Sequence, residues 1–233
     1  FITLDAKRFH NRYKSAFGQI ELGVSNKKYA DALFANFSYT GFDQQLQTGT
    51  DQRNVYGMAT KHGHSINTGI RYSKHDLFVN GLDVNSYWSY SKDISIITDT
   101  ARRKYYWNNI YAYNESPEIG SLFSINNITR PHIIGRTNIS YKLNNEHSFN
   151  LNYVFDNVVN NNFNELVTNS DDNPGTVRKN LLGVAYQQDF FNNKLSNVFF
   201  VKYYGLGLKL RKYTSATAVY DNITSSENSL GYG

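Results

Sequence analysis

GRTNISYKLNNEHSFNLNYVFD, running from Gly135 to Asp156, reads as one β-hairpin. On the first arm Thr137, Ile139, Tyr141 and Leu143 alternate with Arg136, Asn138, Ser140 and Lys142. On the second, Phe149, Leu151, Tyr153 and Phe155 alternate with Ser148, Asn150, Asn152 and Asp156. A period of two marks strands, because successive side chains point to opposite faces. Between the arms, Asn144-Asn145-Glu146 is a turn of residues that tolerate positive φ, so both apolar rows fall on one face of an antiparallel pair. That face packs against either a protein core or lipid, and the choice decides the function.

Six more runs of the same kind extend from this hairpin. Ala16 to Val24 places Ala16, Gly18, Ile20, Leu22 and Val24 on one side. After a connection of Ser25 to Asp31 come Leu33, Ala35, Phe37 and Tyr39. A polar stretch from Asp43 to Gly63 precedes Ile66, Thr68, Ile70 and Tyr72, and a turn at Ser73 to Asp76 leads to Leu82, Val84, Trp88 and Tyr90. Beyond the hairpin, Asn157 to Lys179 is a long connection, with the turn-rich cluster Asn169 to Gly175. It leads to Leu182, Val184 and Tyr186, a short turn through Phe190 to Lys194, and Phe199, Val201 and Tyr203. Near Gly205 and Gly207 the apolar parity slips to Leu206, Leu208 and Leu210, which predicts a bulge or the end of the buried segment. Tyr213 to Asn228 reads as a last polar stretch.

The connections therefore alternate short and long. In an up-and-down sheet this gathers the tight turns at one rim and the long loops at the other, as in outer-membrane barrels. A soluble sandwich spreads its connections more evenly. The predicted fold is an all-β, antiparallel up-and-down transmembrane barrel, one domain over residues 1–233, with about eight strands in this chain. Tyr39, Tyr72, Trp88, Tyr90, Tyr141, Tyr153 and Tyr186 lie towards strand ends, where amphipathic rings sit at headgroup level. Gln19, Glu21, Arg71, Asp83, Arg136 and Lys142 on the opposite rows suit a watery lumen. Ile139, Tyr141, Leu151 and Tyr153 are expected to face lipid, Arg136, Asn138, Asn150 and Asn152 the lumen, and Asn144-Asn145-Glu146 the periplasmic rim. The competing arrangement is a soluble or surface-attached β-sandwich of the carbohydrate-binding or adhesin kind, with the same aromatics in its core. A free-standing small porin is a third.

Composition narrows the classes further. Tyr (19) and Phe (15) favour strands, and 30 asparagines favour turns and wet faces. No apolar run approaches the length of a transmembrane helix, a test that barrel strands never have to meet. The net charge of +5 is scattered, with clusters only at Arg102-Arg103-Lys104 and Lys209 to Lys212, so nucleic acid is not expected as a partner. The absence of cysteine removes disulfide scaffolds and thiolate metal sites. A start at Phe1 without a basic, apolar leader leads us to expect a segment of a longer protein.

Phe1 to Phe42, the hairpin INTGIRYSKHDLFVNGLDVNSYWSYS (66–91), the stretch TDTARRKYYWNN (98–109) and the final SLGYG together resemble the middle of a TonB-dependent outer-membrane receptor of the kind abundant in Bacteroidota. The likeness covers most of the chain and lies in strand and loop texture. It implies a barrel of about 22 strands with a plugged lumen, taking up a scarce nutrient with energy passed by TonB. The plug, the TonB box and the aromatic-ended closing strand of that family have no counterpart in these residues. The resemblance also implies the outer membrane of a Gram-negative bacterium as location and outer-membrane lipid as partner. The TonB complex, acting through the plug, and a surface lipoprotein would be further partners, and a siderophore, oligosaccharide, cofactor or peptide would be the ligand.

The stretch from Ser91 to Pro131 is the strongest candidate for ligand contact. Arg102, Arg103, Tyr105, Tyr106, Trp107, Tyr111 and Tyr113, with Lys104, crowd cations and aromatics into a segment too long to be only a connector. Such a mixture suits stacking on sugar rings or flat chelates and pairing with anions. No catalytic constellation emerges. His62 and His64 share a strand side but lack a further ligand. His64 and Ser65 are adjacent and point opposite ways, unlike the phospholipase barrel pattern. Ser89 to Lys92 fits S-x-x-K without its helix or a later K-T-G. Asp171-Asp172-Asn173 lacks the EF-hand spacing. The expectation is a protein that is not an enzyme, with no metal and no cofactor.

Overall fold

The computed structural model describes residues 6–50, 52–167, 175–191, 194–214 and 219–233, and side chains outside 212–222. Eleven strands follow one another: β1 (Tyr13–Lys27), β2 (Ala30–Gln45), β3 (Thr60–Lys74), β4 (Leu82–Asp99), β5 (Arg103–Tyr105), β6 (Tyr111–Tyr113), β7 (Ser124–Lys142), β8 (His147–Asn164), β9 (Gly175–Phe190), β10 (Leu195–Thr214) and β11 (Val219–Tyr232). Nine of them form a single antiparallel sheet in the order β1-β2-β3-β4-β7-β8-β9-β10-β11, and β5 and β6 form a separate two-stranded sheet. The sheet is an up-and-down meander with β1 and β11 as free edges, so it is open rather than closed. Among the described residues no helix is long and apolar enough to cross a membrane, which says nothing of a β-barrel.

The register places every apolar row of the sequence on the same face. Leu33 pairs with Val24 and Tyr72, Ile70 with Trp88, Val84 with Ile139, Ile139 with Leu151, Leu151 with Val184, and Val184 with Val201. A one-residue slip in any pair would have turned that strand's row over, and none occurs. Ile139, Tyr141, Leu151 and Tyr153 therefore share this face, and Arg136, Asn138, Asn150 and Asn152 share the other. At the turn, Asn144 Oδ1 accepts from the amides of Glu146 and His147, both at 2.8 Å, so the first asparagine closes it with its own side chain.

Three expectations need correction and one is resolved. There are nine long strands, not eight, because part of the stretch read as polar from Tyr213 to Asn228 belongs to β11, paired to β10 from Val201↔Tyr232 to Thr214↔Val219. Among the described side chains of its even face only Leu230 and Tyr232 carry apolar weight, too few to register as a row. The strands also run well past the apolar band. β4 reaches Asp99, β7 begins at Ser124, and β8 continues to Asn164, so the connections are shorter than the sequence spacing predicted, and that between β1 and β2 is two residues rather than seven. Of the two outcomes expected at Gly205 and Gly207, no bulge forms, since pairing to β9 is unbroken from Leu195 to Leu210, and the apolar row ends there instead, Tyr203 being followed on its face by Gly205, Gly207 and Lys209. Leu206, Leu208 and Leu210 simply sit on the other face. Finally, Pro131 lies inside the central strand β7, where its missing N–H coincides with a lapse of the β8 ladder at Arg130 and Pro131. The Arg130 side chain bridges that lapse to Asn160 Oδ1 at 2.7 Å.

Little of the wall is buried. The chain exposes 16063 Å² for a mass of 26.8 kDa, whereas a compact monomer of that size exposes roughly 10,800 Å². Ile20, Leu22, Phe37, Ile70, Val184, Val201 and Leu230 all stand open to solvent on the apolar face. Trp88 lies flat across Gly135, where a Cβ would come within 2.4 Å of the indole, and stacks near Phe155 at 6.1 Å. The opposite face carries paired polar groups: Glu21 with Arg71 at 3.7 Å, Asn138 with Asn152 at 2.5 Å, Ser65 with Asp93, and His132 with Asp156 at 3.0 Å.

Candidate functional site

Apart from Ala30 at the β1–β2 turn, the buried apolar side chains among the described residues lie at the long-loop rim. Val55, Tyr56, Ala59 and Tyr105 are buried there, together with His10, Gln47 and Asp99. The chain's polar groups build this knot. The amides of Phe9 and His10 donate to Gln47 Oε1 at 2.8 and 2.7 Å, and Gln47 Nε2 donates to the Tyr56 carbonyl at 3.1 Å. His10 Nε2 lies 2.7 Å from the Ala59 carbonyl. One buried glutamine thus ties the segment before β1 to the loop between β2 and β3, satisfying backbone groups that burial would otherwise penalise.

Two carboxylates continue the tie. Asp99, 1% exposed at the end of β4, accepts from the amides of Glu118, Ile119 and Gly120 at 2.8, 2.9 and 3.1 Å. The Glu118 carboxylate in turn accepts from Gly57 at 2.7 Å, Met58 at 3.0 Å and Ala59 at 2.7 Å. Each is an anion held in a cradle of three consecutive backbone N–H groups. Together they lock the β4–β7 connection to the β2–β3 loop.

The β5–β6 hairpin stands on this base through Tyr105. Its ring is 7% exposed, lies 6.0 Å from the Phe9 ring and 5.4 Å from the Tyr111 ring, and covers Gly57, where a Cβ would come within 2.5 Å. A backbone bridge joins Val55 to Tyr105. Arg103 sits 4.3 Å over the Tyr111 ring and donates to the Tyr105 hydroxyl at 3.3 Å, a contact that raises its pKa above the usual arginine value. Arg102 lies 5.2 Å over the Phe123 ring. Tyr106 and Trp107 form the turn, closed by Tyr106 N donating to the Ile110 carbonyl at 2.9 Å, with Asn109 in the left-handed region at φ 62. Tyr111 and Tyr113 are exposed on β6.

The residues singled out in the sequence therefore divide. Tyr105 is structural ballast for the rim, Arg103 and Tyr111 pair with each other, Arg102 lies against Phe123, and Tyr106 and Trp107 reach two clefts. The first, about 890 Å³, is lined by Lys7, Arg8, Phe9, Tyr106, Trp107, Asn108 and Asn109, with Ala6. The second, about 520 Å³, has Arg53, Arg103, Lys104 and Glu118 among its walls. Sequence reasoning missed Lys7 and Arg8, as well as Gln47, Asp99 and Glu118. The Lys-Arg pair next to Phe9-His10 was the only local sign, whereas carboxylates that gather amides from distant segments leave no local pattern.

Elsewhere, His62 and His64 lie at the long-loop end of β3 on the apolar face, His64 stacked 6.1 Å from Tyr39, and the described residues hold no group of three metal-ligating side chains. Ser89 and Lys92 lie within strand β4. Asp171-Asp172-Asn173 falls outside the described residues. A scan of protein-family models finds no match, and searches of curated proteins and solved structures return no similar chain.

Proposed function

We propose that this chain is part of the wall and outer loops of a TonB-dependent outer-membrane receptor, importing a scarce nutrient through a larger barrel. The observation that carries the reading is the uncovered apolar face. Along β4 it runs from Leu82 to Tyr90, a span at the lower end of the roughly 9–11 residues with which a tilted barrel strand crosses a bilayer. Tyr72, Tyr141, Phe149, Tyr186 and Phe199 mark its short-turn margin, and Tyr39, Tyr90, Phe155 and Tyr203 the other. Past that second margin the same face turns polar at Lys14, Asp43, Lys92, Asn157, Arg178 and Lys209. This order of polar, aromatic and apolar zones is what a bilayer imposes.

The free edges of β1 and β11 fit strands that continue the wall on both sides, since unpaired edges within hydrocarbon are untenable. A sandwich would require a second sheet over the apolar face, and the described residues form one sheet plus the β5–β6 hairpin. In the barrel reading the long-loop rim is extracellular, with Arg102, Arg103, Tyr106, Trp107, Tyr111 and Tyr113 near the ligand. Lipid, the TonB complex through a plug, and a surface lipoprotein are then its partners.

The test is partition of the intact protein that carries this chain. It should require detergent for monodispersity and should fold into phosphatidylcholine vesicles, with strand content by circular dichroism and a migration on gels that changes on heating. A protein that stays monodisperse in plain buffer would end the membrane reading.

A further inference from the structure

We infer that the cleft between Lys7–Arg8 and the tip of the β5–β6 hairpin is a binding site for an acidic saccharide. The sugar ring would stack on Trp107, its carboxylate would lie against Lys7 and Arg8, and its hydroxyls would meet Asn108 and Asn109. The inference deepens the receptor reading, on which it rests for the side of the membrane that the ligand comes from.

The two walls carry complementary chemistry. One supplies two cations, the other an indole, a phenol and two carboxamides, and among the described residues no carboxylate lines the space between them. The rim carboxylates Asp99 and Glu118 are already engaged, since each accepts three backbone N–H groups. They therefore compete poorly for Lys7 and Arg8. Trp107 also lines the second cleft, whose walls carry Arg53, Arg103 and Lys104 together with Glu118, so cationic side chains line both clefts that the indole borders.

The walls are also held in place before any ligand arrives. Phe9, next to Arg8, is fastened through its amide to Gln47, and its ring contacts Tyr105 at the base of the hairpin. Both walls thus grow from one buried joint, which lowers the ordering cost of binding. The Asn108 Oδ1 accepts from Ile110 N at 3.2 Å, which fixes the side chain at the hairpin tip. A flat aromatic anion would use the indole and the cations but leave the two amides idle. A neutral sugar would leave the cations idle. An acidic sugar engages all three.

The test uses the intact protein in detergent micelles with Trp88→Phe, which leaves Trp107 as the reporter among this chain's two tryptophans. Trigalacturonic acid is titrated against its methyl ester, the same rings without charge. The expected result is an acid affinity at least tenfold above that of the ester at low salt. The preference should collapse at high salt and in the Lys7→Gln/Arg8→Gln double variant, while ester affinity stays unchanged. Trp107→Ala, which removes the reporter and is therefore followed by titration calorimetry, should weaken both ligands. Equal affinities, no fluorescence response to either ligand, or a double variant that still prefers the acid would overturn the inference. So would tighter binding of 2,3-dihydroxybenzoate, which would assign the cleft to a flat aromatic anion. Heat-dependent gel migration of each variant reports the fold, so loss of the barrel reading is seen separately from loss of the cleft.

Discussion

The wall and the long-loop rim of this protein are stabilised in opposite ways. The nine-stranded wall satisfies its backbone by ladder pairing and leaves its apolar side chains uncovered, so its stability depends on what lies against that face. The rim carries its own core, small but closed, in which Gln47, Asp99 and Glu118 satisfy the amides of segments that have no ladder of their own. The wall takes its order from repetition and its environment, the rim from a few buried polar groups acting over long sequence separations. Substitutions in the two regions should therefore be felt through different measurements.

The largest effect is expected on the wall. Leu151 sits mid-face between Ile139 and Val184, so Leu151→Arg puts a charge into the apolar band and should cost about 2–4 kcal/mol if that band meets lipid at its midplane. Asn152→Arg, one residue on and pointing to the polar face, should stay within about 0.5 kcal/mol. Urea unfolding of the intact protein from vesicles measures both. Equal costs would mean that the two faces see the same surroundings, and the contrast between wall and rim would lose its basis.

At the rim the sharpest probe is Asp99→Asn. The amide keeps one acceptor oxygen and puts an NH₂ donor where the other oxygen now accepts from backbone N–H, leaving at least one of the three buried N–H groups unsatisfied, a loss of about 2 kcal/mol. Hydrogen exchange at Glu118, Ile119 and Gly120 should then speed up by roughly 30-fold, while the amides of the β7–β8 hairpin keep their protection. If loosening spread to the hairpin, rim and wall would be one cooperative unit rather than two.

The same division explains what could be read from the amino acids. Every apolar row marked in the sequence lies on one face, because period-two alternation and its register are the same physical constraint. Strand extent was less legible. Asn126, Asn127, Asn161 and Asn162 lie in the paired ends of β7 and β8 outside the apolar band, where a ladder needs backbone groups but no greasy side chains. β11 was missed for the same reason. At the rim, the cation and aromatic content of residues 102–113 was visible, but the burial of Tyr105 was not. That burial depends on Gly57 and Phe9, brought together only by the fold.

The smallest expected effect comes from a third carboxylate, which tests how far burial sets the weight of such a contact. Asp31, at the short-turn rim, accepts from Lys74 Nζ at 2.8 Å and from the His75 amide at 2.6 Å, a chemistry close to that of Asp99 but partly exposed. The Lys74 contact, followed by the His75 amide, holds its carboxyl below the usual aspartate value. A depressed folded pKa means stability that is present at neutral pH and lost as pH falls through that folded value. The His75 amide resonance should therefore titrate with a midpoint below the ordinary aspartate range, and Asp31→Asn should flatten it with no measurable change in unfolding, since exposed pairs are weak. A midpoint at or above the ordinary value would show that the contact does not hold in solution. A large loss of stability in Asp31→Asn would show that burial is not what separates Asp99 from its exposed counterpart.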